Sequence, residues 1–327
     1  MPFPSWPVDT TVEELHERLL LEAMEAKGLE RMPFIWFWPA GARACVVMTH
    51  DVETRAGLDF CPELMDLDDS FGIKACFNIV PTGRYELRSD FFGRIRERHF
   101  EVGVQDYNHD GRLYENRGEF LRRADFINRF ALEHQIAGFR AAVLYRRPEW
   151  LAELQFAYDM SVPNVAHLDP QRGGCCTVMP YFIGDRLELP VTTIQDYSLF
   201  RLLGERSIDL WKTQIGMIAE KNGMASFIVH PDYLIDPRDR VVYEELLGYL
   251  RSMREAGHTW FALPAQVDRW WRARNRMFIE TVGASHRVVG EGSERAVLAY
   301  AVRCDGKLRY EISQHNENYL RAAAPSA

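Results

Sequence analysis

The chain has no excess of positive charge. Across 327 residues, 39 Lys and Arg stand against 47 Asp and Glu, a formal net charge of −8. Binding to nucleic acid or to a membrane surface needs a basic face, so neither partner is expected. No stretch comes near the ~18 uninterrupted apolar residues of a membrane span, so no spanning helix is expected. The opening MPFPSWPVDT lacks a basic n-region and an apolar h-region. No signal peptide is read there, and a cytoplasmic location is expected. CxxC pairs are also missing. The six cysteines (Cys45, Cys61, Cys76, Cys175, Cys176 and Cys304) are scattered, several of them in apolar strand-like runs. They read as buried free thiols in a reducing compartment. Internal repeats and low-complexity tracts are absent too.

What is present is a rhythm. Residues 11–28 have the spacing of an amphipathic helix closed by Gly28. From about residue 43, short apolar runs recur at 44–50, 74–80, 100–104, 137–141, 186–191, 224–230 and 258–264. Helical segments are expected between most of them, around 59–71, 89–98, 117–134, 147–157, 206–222 and 239–256. Strand–helix alternation implies a parallel sheet, closed or open. From 277 onward MFIETVG, RAVLAYAVRC and KLRYEIS read as strands without helices between them. The expected organisation is an N-terminal helical extension (1–40), a (β/α) body (41–274) and a small β-rich extension (275–327) whose tail after Tyr319 frays.

The ends of these strands are chemically crowded. VVMTHDVE, residues 46–53, runs from apolar residues straight into His50, Asp51 and Glu53. Carboxylates are rarely buried unless paired. The third strand runs into VQDYNHDGRL, with Gln105, Asp106, His109 and Asp110; the fourth ends at Arg140; the fifth leads to Asp196; the sixth ends in VHPDYL, with His230 and Asp232. Function gathers where the strands of a parallel barrel end, and polar groups at five of seven ends point to one shared site.

At these residues the chain resembles the polysaccharide deacetylases of the NodB-homology type (carbohydrate esterase family four). The likeness covers about residues 40–270. It rests on THDVE for the family's TFDD or THDVD-like first motif. EVGVQDYNHDG stands for the second, with Gln105 in place of the first histidine of HxxxH. GFRAA stands for FRxP, keeping Arg140 and losing the proline. Asp196 and Val229-His230 match the last two motifs. The stretch is nearest to a branch associated with surface-glycan synthesis. The resemblance implies a distorted (β/α)7 barrel with one divalent metal, zinc first among candidates, and removal of an acetyl group from an N-acetylated sugar. The expected partner is a carbohydrate, with the sugar linked to a nucleotide or lipid precursor.

The chemistry of the residues fits such a hydrolysis. Amide cleavage needs an activated water, a stabilised oxyanion and a protonated leaving amine. Asp51 is the candidate base, oriented by Arg140. His230 is the candidate acid, held by Asp196. Glu53 and His109 are the candidate metal ligands, with Gln105 as a weak third. Asp51 and Glu53, two apart on one strand, project to the same side. Gln105 is where the pattern breaks, because an amide oxygen is a poor zinc ligand. Three outcomes stay open: a metal held weakly or with help from Asp106 or His50, hydrolysis without metal, in the manner of the allantoinases that share this fold, or binding without turnover.

Several residues have plainer readings. His50 fits a hydrogen-bonding role beneath the site. Asp106 fits a substrate contact or support of a ligand better than ligation. Asp110-Gly111 reads as a turn and Asp232 as a cap. Tyr145, Tyr197 and Tyr233 could stack on a sugar or simply pack. Trp270 and Trp271 fit the packing of a last helix, and Gly173-Gly174 an ordinary loop or a lid.

Overall fold

The computed structural model describes residues 3–283 and 285–313. The chain runs α1 (Thr11–Ala26), β1 (Arg31–Ile35), β2 (Ala44–Val52), α2 (Arg55–Ser70), β3 (Ala75–Ile79), α3 (Phe91–Glu97), β4 (Glu101–Gln105), α4 (Arg117–Glu133) and β5 (Gly138–Arg140). It continues β6 (Tyr158–Asp159), β7 (Tyr181–Ile183), β8 (Arg186–Glu188), α5 (Asp209–Glu220), β9 (Met224–Val229), α6 (Pro237–Glu255), β10 (Thr259–Phe261) and α7 (Pro264–Arg276). The last elements are β11 (Phe278–Val282), β12 (Ser285–Val289), β13 (Leu298–Cys304) and β14 (Lys307–Ile312). None of the helices among the described residues is long and apolar enough to cross a membrane.

One curled sheet, β10-β2-β3-β4-β5-β6-β8-β7 with β9 on the far edge of β2, forms the body. All its pairings are parallel except the β7–β8 hairpin. The parallel sheet expected from the strand–helix rhythm is present, curled into the distorted α/β barrel that the resemblance implies. Residues 147–157 were expected to be helical. Instead a 3₁₀ turn at Pro148–Glu153 leads into the two-residue strand β6. The chain must be extended again by Tyr158 to pair with Gly138, which leaves no room for a full helix.

β2 is the centre. It is buried at all nine positions and borders three strands. β10 takes residues 44–46, β3 takes 48–52, and β9 takes 45–50. Met48 and Val52 face outward into the main core, which the helices cover. Thr49 and Asp51 alternate to the inside. Between the segment after β8 and β9 the wall closes through threonines. Thr193 N–H donates to Ser226 O (3.3 Å), Thr192 Oγ1 donates to Met224 O (2.6 Å), and Ser226 N–H donates to Thr192 Oγ1 (2.9 Å).

The floor of the barrel is apolar. Trp38, Tyr158, Met160, Leu187 and Met224 pack there with Trp270 of α7, whose indole N–H donates to Phe37 O at 2.8 Å. Trp271 lies 5.3 Å from the Trp38 ring. β1 pairs antiparallel with β13, and β13 with β14, so a strand from the N-terminal stretch and two from the C-terminal stretch share one small sheet. The expected fraying after Tyr319 falls outside the described residues.

Glu101 at the start of β4 ties the floor to α7. Its carboxyl accepts from the Ala265 N–H (3.0 Å) and from the Tyr158 hydroxyl. Burial pushes its pKa up to about 7 against the pull of the Ala265 N–H and of Arg269. The folded state therefore holds a proton that the unfolded chain releases near the ordinary carboxylate pKa. Between those two values the native state binds more protons, so this group's contribution to stability falls as pH rises and levels off above about 7. Glu101→Gln is expected to flatten that part of the stability curve, read from denaturant melts at pH 4.5, 6 and 8. An unaltered slope would remove Glu101 as its source.

Candidate active site

The inner positions of β2 carry the first polar groups. Asp51 is almost fully buried. Its Oδ1 accepts from Arg140 Nη1 (2.8 Å) and from Asn78 Nδ2 (2.8 Å). Arg140, at the end of β5, also donates to Thr49 Oγ1 (2.7 Å) and through Nε to Met160 O (3.1 Å). Asn78 sits opposite Asp51 one strand over. A Cβ at Gly103, the next neighbour, would lie 2.1 Å from Asn78 Oδ1. The glycine of EVGVQ is therefore what lets Asn78 reach Asp51.

After Val52 the ladder stops. Thr54 caps α2, its Oγ1 accepting from Gly57 N–H at 3.0 Å, and Glu53 is left at the mouth between strand and helix. Three nitrogens converge on Glu53 Oε1: His109 Nε2 at 2.7 Å, Gln105 Nε2 at 2.8 Å and His230 Nε2 at 3.3 Å. Burial would raise the Glu53 pKa, but the facing His230 and His109 hold it well below the usual carboxylate range. His230, at the end of β9, is fixed from behind. Its Nδ1 lies 2.6 Å from Asp196 Oδ1, and its backbone N–H donates to Asp196 Oδ2 (2.7 Å). Burial works against charge on this imidazole, yet Asp196 and Glu53 push its pKa well above the ordinary histidine value. His109 is shifted the same way, again against burial, by Glu53.

Gln105 supplies the least expected contact. Its amide Nε2 donates to Glu53 Oε1 and also reaches Asp51 Oδ2 at 3.3 Å. One neutral NH₂ group thus bridges two carboxylates, while its Oε1 is buried without a donor. Turning the amide over would direct Oε1 toward the carboxylates, an arrangement that requires a cation between them.

The donors suit such a cation. Asp51, Glu53 and His230 each offer one ligand atom, all within 4.8 Å of one another. His109 Nε2 faces Glu53 off the line of a hydrogen bond and has no other partner. The expected ligands were Glu53, His109 and Gln105. By distance the structure groups Asp51, Glu53 and His230, with His109 on another side of Glu53 and Gln105 between the carboxylates. Two carboxylate oxygens and imidazole nitrogens are a donor set that borderline and hard divalent ions accept.

The remaining expected residues are dispersed. Asp106 is buried at a positive φ with neither oxygen hydrogen-bonded, and burial raises its pKa. Tyr233 lies 5.0 Å from the His230 ring, and Tyr197 6.3 Å from Tyr233 and exposed. Tyr145 packs beside Gly111 on the loop that carries His109. Asp110 takes a two-pronged bond from Arg123 (2.7 and 2.8 Å), which pins that loop to α4. His50 faces away from the site. It contacts Asp68 Oδ2 at 2.9 Å, and Asp68 accepts from Tyr243 at 2.7 Å. Sequence reasoning missed Asn78 and Thr49. The lone Asn within the apolar run KACFNIV was the available signal for the first.

No protein-family profile and no curated protein matches the sequence. Solved structures do match. One from Mycobacterium smegmatis, provisionally assigned as a polysaccharide deacetylase, is 18% identical with a TM-score of 0.58, over 74% of this chain and 94% of the other. A second with the same provisional assignment, from Pseudomonas aeruginosa PAO1, is 15% identical with a TM-score of 0.55, over 72% and 93%. The chain has the polysaccharide deacetylase fold. PuuE allantoinase is similar to the same degree, 13% identical with a TM-score of 0.59 over 72% of this chain and 92% of that one. At these identities the deacetylase likeness is one of fold, and the chemistry must be argued from the side chains.

Arg140→Gln tests the innermost pair. It removes the cation from a buried carboxylate, a change that costs about 3–5 kcal/mol in comparable buried pairs. Urea unfolding should show a loss of that order. A loss below about 1 kcal/mol, the level of an exposed pair, would mean that Asp51 does not depend on Arg140.

Proposed function

We propose that the chain is a carbohydrate N-deacetylase, a hydrolase that cleaves the acetamido group of an N-acetylated sugar. The observation that carries this reading is the convergence of the Asp51–Arg140 and Asp196–His230 pairs on the two sides of Glu53. Asp51 Oδ1 is saturated by Arg140 and Asn78, which leaves Oδ2, met only by the long Gln105 contact (3.3 Å), to take a proton from an attacking water. Arg140 keeps this base ionised and aimed. His230 keeps Nδ1 on Asp196, so a proton on Nε2 is directed into the site, where the departing amine needs it. Tyr233 lies against the His230 ring with Tyr197 beyond it, and the two offer ring faces to a sugar.

A divalent metal, zinc by preference, would be held by Glu53 and His109, which leaves Asp51 Oδ2 and His230 Nε2 free for proton transfer; when bound it would polarise the acetyl carbonyl and acidify the water. The six unpaired cysteines suit a reducing cytoplasm, where carrier-linked sugar precursors are met before export.

A second reading is favoured by one contact. Gln105 already bridges Asp51 and Glu53 with its NH₂ group, the place a cation would fill. On this reading the protein is a metal-independent amidohydrolase. The fold likeness to an allantoinase is in keeping with it.

Asp51→Asn strands the buried Arg140 cation and should cost stability on the same scale of about 3–5 kcal/mol; in the fraction that remains folded by circular dichroism, turnover of an N-acetylated sugar should fall by about 100- to 10,000-fold, the scale of general acid–base catalysis. A variant with near-normal kcat would remove Asp51 from the role of base. The metal question has its own test. Gln105→His exchanges a neutral amide for an imidazole four residues before His109, and zinc affinity by calorimetry should rise together with Tm in added zinc. If affinity rises and turnover falls, the metal-free reading is the better one. If neither changes, Gln105 takes no part.

A further inference from the structure

The mouth of the barrel also holds a basic depression. Arg112, Arg146 and Arg147 line it with Tyr114, Tyr145 and Gln171, around a space of about 750 Å³. In a chain of net charge −8, three arginines at one opening do not follow from composition. The depression adjoins the candidate site. Gly111, on its wall, is two residues beyond His109, and a Cβ there would lie 3.7 Å from the Tyr145 ring.

The charges on this wall are unevenly matched. Arg112 is exposed, and its side chain makes no hydrogen bond or ion pair within the described residues. Arg146 is half-buried. Its guanidinium donates to Leu144 O (2.9 Å) and Gln171 O (3.5 Å), its backbone N–H donates to Gln171 Oε1 (2.9 Å), and no described carboxylate lies within 4.0 Å. Burial strips water from it and lowers its pKa, with Asp169 opposing at longer range. Arg147 is spoken for, 3.7 Å from Glu149 and over the Trp150 ring. Glu115 is the remaining carboxylate on the wall. Two guanidinium groups, one desolvated and held in place, therefore face the space against one exposed carboxylate.

We propose that this depression seats the phosphate groups of a sugar diphosphate, so that the acetylated sugar is presented in its activated, carrier-linked form. A guanidinium presents a planar fork that matches phosphate oxygens and stays charged under all working conditions. A cation held without a partner is unfavourable until an anion arrives. The space is within the range of small-molecule sites, and Tyr145 lines it against Gly111 of the His109 loop, where it could cover a sugar reaching from the depression to the site. The inference rests on the deacetylase reading for what lies at the sugar end, and on the arginines alone for the phosphate end.

Calorimetric titration of the full chain with inorganic pyrophosphate tests the phosphate end directly. Saturable binding is expected, weakened by about tenfold or more in Arg112→Glu, the scale of one lost charged hydrogen bond. Arg112 is exposed, so its variant should keep the parent Tm; Arg146→Lys, which retains charge and loses the fork, should weaken binding without abolishing it. Pyrophosphate should compete with a sugar diphosphate, raising KM with kcat unchanged. UDP-N-acetylglucosamine and the same sugar on a short polyprenyl diphosphate in detergent form two arms, and the one with the higher kcat/KM identifies the carrier. If pyrophosphate binds and Arg112→Glu weakens it while no N-acetylated sugar is turned over, the phosphate subsite stands and the deacetylase reading falls. If an uncharged N-acetyl glycoside is turned over and pyrophosphate neither binds nor competes, the deacetylase reading stands and this proposal is overturned.

Discussion

Arg140 and Asp51 meet inside the barrel wall, with side chains 0% and 4% exposed, and the geometry of the mouth depends on them. Two ions taken out of water are favourable only when their remaining hydrogen-bonding capacity is met. Here Thr49 and the Met160 carbonyl take two more of the guanidinium donors, Asn78 and Gln105 approach the carboxylate, and Arg140 Nη2 alone is left without a partner among the described residues. The pair also spans the interior. β2 and β5 are separated in the sheet by β3 and β4, so the ion pair links strands that share no ladder. Asn78 on β3 and Gln105 on β4 fill the positions between. Asp51 and Asn78 stand level across β2 and β3, and Gln105 and Arg140 stand level across β4 and β5 two residues further along, so these inward polar side chains lead up to Glu53 and the mouth loops.

This arrangement also explains which parts of the sequence were legible. Strands buried on both faces are nearly continuous apolar runs, so a His, Asp or Glu directly after ACVVMT stands out without any model of the fold. The same contrast marks Arg140, His230 and the His109 loop. Position along the chain is therefore readable wherever a strand ends. Facing is harder to read. His50 and Asp51 are adjacent, and one turns outward to Asp68 while the other turns inward to Arg140. Alternation alone does not say which face is the inside.

Other features depend on tertiary contacts that leave little local trace. Asn78 is polar in an apolar run, but its purpose appears only when β3 lies against β2 and Gly103 leaves the space. β6 is two residues long and has no periodicity to detect. β1 takes its place only through pairing with β13, more than 260 residues later, a contact that no local pattern encodes. The barrel seam at Thr192 and Thr193 uses side-chain hydroxyls where a strand ladder would be sought.

The charges at the mouth explain how a glutamine can sit between two carboxylates. Asp51, Glu53 and Asp196 bring three negative charges. Arg140 brings one positive charge, and His230 and His109, both shifted toward their charged forms, bring two more. The group is thus neutral with both imidazoles protonated and needs no further ion. A divalent cation held by Glu53 and His109 would displace the His109 proton, a net gain of one charge, and would leave the His230 proton in place. The two states would differ by the His109 proton and by the facing of one amide. A histidine at position 105 could not bridge the carboxylates in this way without being protonated itself, which would leave three imidazolium groups against the same acids. Glutamine supplies the donors without the charge, and so ties Asp51 to Glu53 beside the Asp51–Arg140 and Asp196–His230 pairs.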